Sequence, residues 1–129
     1  MYLHYKYTKR SLSVMFPSMP TETEMTTARE AFNVAENFYG DEEYRNVSGF
    51  ASLPLEGKRA ARQAAEAAYD SAKDAIQVLR LQVIYWKNMS DQQLWRMDSI
   101  ANLQMFSDER RIECANYIAR CDALLKIAD

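Results

Sequence analysis

Residues 57–88 read GKRAARQAAEAAYDSAKDAIQVLRLQVIYWKN, and this stretch decides the fold. No proline interrupts it, and alanine, leucine, glutamine, arginine and lysine dominate it, the residues with the strongest helix preference. As one helix it spans about 50 Å. Ala61, Ala65, Ala68, Ala72, Ile76, Leu79, Val83 and Trp86 fall on one stripe at three-four spacing. The first four are small and the last four are large, so a neighbouring helix is expected to approach closely at one end and splay at the other. Arg59, Arg62, Glu66, Asp70 and Lys73 mark a solvated face of the first half. In the second half Val78, Leu81 and Tyr85 make a second apolar line, nearly opposite the first. A helix with two apolar sides has two neighbours, or one neighbour and a partner.

The rest of the chain is also helical in pattern. Met25, Ala28, Phe32, Ala35 and Tyr39 form one stripe of a helix over about 21–39. Thr21 with Glu24, or Thr27 with Glu30, supplies its capping box, and Gly40 its C-terminal cap. Residues 41–56 form a long connection that opens on Asp41, Glu42 and Glu43. Phe50, Leu53 and Leu55 are expected to pin it to the core, and connections of this length often carry function or a short helix. A third helix is expected to start at Ser90, where Ser90 and Gln93 make a capping box and Met89 can staple onto Leu94. Its inward face is Leu94, Met97 and Ala101, with Trp95 and Ile100 beside it. The short link before it implies an antiparallel pair. Ser107 reads as the N-cap of a fourth helix, with Asp108 and Glu109 in the first turn and Ile112, Ala115, Ile118, Cys121 and Leu125 facing inward. The third and fourth helices have almost no linker, so one kinked helix is the alternative.

Residues 2–16 are the only stretch with strand character. Leu3, Tyr5 and Tyr7 alternate with His4 and Lys6, and Leu12, Val14 and Phe16 with Ser11, Ser13 and Met15. This segment is a hairpin or an extended basic arm. The expected fold is therefore mainly α: one domain over 1–129, with a compact bundle of about four helices over 21–129 around one long central helix. A β-hairpin or arm over 1–20 packs onto it or extends from it.

With 129 residues, 48% of them hydrophobic and 26% charged, the chain is large enough and apolar enough for a real core. Its net charge of −2 is unevenly spread. Residues 1–16 and 57–90 are basic, whereas 17–56 and 91–129 are acidic. None of these segments is charged enough for a nucleic-acid mimic or a DNA-binding tail.

The chain has one histidine, three glycines and two cysteines. His4 has no second ligand at metal-binding spacing and no partners for a triad. A glycine-rich phosphate loop and a Glu-x-x-His pair are both missing. Cys114 and Cys121 lie seven residues apart on one helical face, about 10 Å along the axis, too far to pair. As free thiols among apolar residues they read as packing, and they suggest a reducing compartment. No apolar run reaches the length of a membrane span, and the first residues lack the order of a signal peptide. The chain is thus expected to be cytoplasmic, without cofactor or metal, and not an enzyme.

By elimination, the expected function is a non-catalytic protein–protein interaction module. It would act stoichiometrically as an adaptor, small inhibitor or assembly factor, in the manner of many small bacterial and phage accessory proteins, an analogy of class alone. Val78, Leu81, Tyr85 and Trp95 are its expected contacts, with Tyr2, Tyr5 and Tyr7 as a second set. The partner is a larger protein or a second copy of the chain. The alternative is a nucleic-acid binder in which Lys6, Lys9 and Arg10 are interleaved with those tyrosines, helped by Lys58, Arg59 and Arg62. The acidic pI of about 5.5 argues against it.

Overall fold

The computed structural model describes residues 18–99 and 108–129, which form three helices. Helix α1 is Glu22–Gly40, α2 is Leu55–Ser99 and α3 is Asp108–Ala128. No strand occurs among the described residues. The N-terminal hairpin or arm, including Tyr2, Tyr5, Tyr7, Lys6, Lys9 and Arg10, lies outside them, as does the Ser107 cap.

Thr21 caps α1 as its pattern predicts. The Glu24 amide donates to Thr21 Oγ1 at 3.1 Å, and the threonine hydroxyl donates to the Glu24 carboxylate at 3.2 Å. Met25 is fully buried, and Ala28 and Phe32 pack beside the same core. Gly40 does not serve as the left-handed cap. It is the last helical residue, and the left-handed turn comes two residues later at Glu42, with φ 59° and ψ 28°. A side chain in that conformation carries strain that glycine lacks. Glu42 is exposed and pairs with Arg45, at 3.1 Å on the surface. Glu42→Gly should therefore stabilise the chain by about 0.5 kcal/mol, read as a rise in the urea midpoint. A lowered midpoint would show that the ion pair outweighs the strain.

The connection after α1 carries two short 3₁₀ turns, Glu43–Asn46 and Phe50–Ser52. Its anchor is Tyr44, 3% exposed, which the sequence pattern did not single out. The Tyr44 ring meets Phe38 and Phe50 edge-on, with centroids 6.2 and 5.8 Å away. Phe50 is half-buried, but Leu53 and Leu55, expected to pin the loop, are exposed.

The main correction concerns α2. It does not stop at Asn88 but runs from Leu55 to Ser99, 45 residues and about 67 Å. The described start of the expected third helix, from Ser90, is its last ten residues, and Ile100 and Ala101 lie outside the described residues. Ser90 caps nothing: its hydroxyl donates to the Trp86 carbonyl at 2.9 Å, a bond made from inside a helix. Leu94 and Met97 do face inward as expected, half-buried and buried respectively.

Helix α3 folds back along α2. Cys114 Sγ donates to the Ser90 carbonyl at 3.2 Å, Lys87 pairs with Asp122 at 2.6 Å, and Arg80 pairs with Asp129 at 3.1 Å. Numbers rise along α3 as they fall along α2, so the two are antiparallel and not one kinked helix. The buried face of α3 is Cys121, Leu124 and Ala128, continued by half-buried Cys114 and Tyr117. Ile112 and Ala115, expected inside, are exposed.

The single splayed neighbour expected for α2 is replaced by two neighbours in succession. Helix α1 runs antiparallel along the alanine half, where Tyr69 lies against Phe32 and Tyr39, each with centroids 5.6 Å apart. Ala65 is buried there. Helix α3 covers the half with large side chains. The two neighbours meet at the middle, where Arg29 donates to the Ala128 carbonyl at 3.1 Å. Met25, Ile76, Val83, Cys121, Leu124 and Ala128 form the core at that junction. The result is a compact helical fold around one long spine. No helix among the described residues is long and apolar enough to cross a membrane.

Candidate functional site

Three surfaces carry the residues that the sequence marks. The first is the outer side of α2. Val78 and Leu81 lie three residues apart, one helical turn, and are each 51% exposed; Trp95, further along, is 69% exposed. Tyr85, expected beside them as a contact, is instead buried, its ring centroid 4.9 Å from that of Trp86. The exposed set is thus Val78, Leu81 and Trp95.

The second surface is a cleft of about 350 Å³ between α2 and α3, lined by Trp86, Met89, Gln93, Met97, Cys114 and Tyr117. Trp86 buries its indole Nε1 without an acceptor among the described residues. The thiols do not make this cleft a nucleophilic site. Burial pushes the Cys121 thiol up to about 11, with the Asp122 carboxylate adding to the effect. Burial, then Asp91, also raises Cys114. Both cysteines are free, as their spacing requires. A reactive cysteine needs the opposite environment, one that favours thiolate.

The sign of the Cys121 shift fixes a pH dependence. The unfolded chain loses its thiol protons at about pH 8.5, whereas folded Cys121 keeps its proton until about 11. The folded state therefore holds the extra proton, and stability falls as pH rises through that window. Urea midpoints should drop between about pH 8 and 10.5, and the drop should be smaller in Cys121→Ala. Equal slopes in both chains would remove the thiol as the cause.

The third surface gathers the internal basic residues. Lys58, Arg59 and Arg62 lie on the first turns of α2 and, with Arg45 from the loop, line one cleft of about 380 Å³. A hydrogen bond with the Tyr39 side chain raises Arg62 above its ordinary value. Arg45 was not marked by the sequence pattern, because it sits in an acidic loop that only the fold brings to α2. No protein-family model, no characterised relative and no solved structure matches this chain.

Proposed function

We propose that the chain is a non-catalytic protein–protein interaction module that acts stoichiometrically, as an adaptor, small inhibitor or assembly factor. The observation that carries this reading is the pair Val78 and Leu81, two large aliphatic side chains half in water on the outer side of a 45-residue helix. Large apolar residues grouped on one helical line are a common anchor for a partner. Trp95 extends the same side. The length of α2 supports the reading too: a continuous helix holds these anchors at fixed spacing, so little ordering cost is left for binding.

Leu81→Asp tests it. Because Leu81 is exposed, the change should alter stability by less than about 0.5 kcal/mol in a thermal melt. Affinity capture from the native lysate, with and without nuclease, should recover a partner with the original chain and lose it with the variant. A variant that fails to fold would make the face core. Capture that vanishes with nuclease in the original chain would favour nucleic acid instead.

A further inference from the structure

Two adjoining clefts lie at the opposite end of α2 from Trp95. The aromatic pair Tyr44–Phe50 separates two clefts of unlike chemistry. On one side is the cationic cleft of Arg45, Lys58, Arg59 and Arg62, whose lining contains no acid among the described residues. On the other is an apolar cleft of about 410 Å³, lined by Phe38, Val47, Leu53, Ala61 and Ala64 as well as the pair itself. Small residues create this second space. Ala61 and Ala64 leave room beside the helix, and Gly49, at φ 85°, makes the left-handed turn that returns the loop to Phe50.

We propose that the two clefts together dock an acidic segment of a partner protein, with an apolar side chain beside Phe38 and Leu53 and carboxylates on Arg45, Lys58, Arg59 and Arg62. This rests on the interaction-module reading and names a partner chemistry for it. The apolar space falls within the range of small ligand sites, about 300–1,000 Å³. Four cations spread around the cationic cleft suit several spaced charges better than one headgroup. Arg45 is available because its bond to Glu42 is a surface pair of little strength.

Nucleic acid fits less well. Base stacking needs an exposed ring, but Tyr44 is buried and Lys58 Nζ sits 5.9 Å from the centroid of Phe50.

The test is a selection of random 12-residue peptides, displayed on phage, against the full chain at low salt. Enriched peptides should place Asp or Glu on both sides of a large apolar residue. A synthetic copy of the most enriched one should bind about tenfold more weakly to Lys58→Glu/Arg59→Glu, and again to Ala64→Phe, which fills the apolar cleft. Both variants should keep the helical circular-dichroism spectrum, since these side chains lie outside the core. Leu81→Asp should bind the peptide normally, so failure here is distinct from failure of the outer-face reading. The inference is overturned by no enrichment, by enriched peptides without acidic excess, or by binding that neither variant weakens. It is also overturned if oligothymidylate or phosphatidylglycerol vesicles bind the intact chain and the peptides do not.

Discussion

Ser90→Pro should cost at least about 3 kcal/mol, enough to remove much of the stability of a domain this size. The residue sits inside α2, nine positions from its last residue, Ser99. Proline would delete the amide donor that the helix uses there and press its ring against the Trp86 carbonyl, which already accepts the Ser90 hydroxyl. Damage would spread to α3, because the Ser90 carbonyl also accepts the Cys114 thiol. The measurement is a chemical melt of Ser90→Pro beside Ser90→Ala, which loses only the hydroxyl bond and should change stability by about 1 kcal/mol or less. Proline is well tolerated in the first turn of a helix but not within one. A small effect of Ser90→Pro would therefore restore the two-helix reading of this stretch.

Val83→Asp should be more damaging still and should leave little folded chain. Val83 has no exposed surface and stands where α1, α2 and α3 meet. A carboxylate there has no cation in the core cluster to pair with. It must be buried charged or take up a proton, and either cost exceeds about 4 kcal/mol when the lost packing is included. Val78→Asp is the control. It makes the same chemical change five residues earlier on a half-exposed position, and it should shift stability by no more than about 0.5 kcal/mol. Circular dichroism of the pair would decide which side of α2 is core. Equal losses would contradict the assignment of faces made here.

The helical class, the span of α1 with its Thr21–Glu24 cap, and the inward stripe of α2 were legible because each rests on local periodicity. The error at Ser90 has a physical origin. A serine followed by glutamine three residues later fits a capping box, but serine is also accommodated inside a helix by back-bonding to a carbonyl one turn earlier. Nothing local separates the two; the packing of Ser90 and Met97 of α2 against Cys114 of α3 does. The face of α3 was misjudged in part for a related reason: Cys121 is buried and Leu125 packs on the core as expected, but Ile112 and Ala115 are exposed. Apolar residues surround that helix, so Ile112–Ala115–Ile118–Cys121–Leu125 and Cys114–Tyr117–Cys121–Leu124–Ala128 are equally periodic and share only Cys121. Contact with α2 selects the second set.

Of the surfaces, the second apolar line of Val78, Leu81 and Tyr85 was readable, with Trp95 as a further contact, and all but Tyr85 are exposed. Tyr85 shows the limit of the wheel, which places a side chain around an axis but does not say what covers it. The paired clefts at the start of α2 were half visible. Lys58, Arg59 and Arg62 stood out by charge, but Arg45 and the apolar space behind Tyr44 depend on how a loop folds back over a helix.

The division of α2 between two neighbours has a dynamic consequence. Each flanking helix clasps only part of the spine, and the three overlap only around Met25, Ile76, Val83 and Cys121. Separating α1 from the alanine end breaks its bond to Ala128 and takes Met25 from the shared core, but leaves the contacts of Ser90, Lys87 and Arg80 with α3 in place. Amide hydrogens near Val83 can exchange with solvent only when the whole domain opens, whereas those toward Gly57 and Ser99 exchange through partial openings that leave the centre intact. The molecule thus has two arms, each with its own share of the spine, that are coupled at one fulcrum.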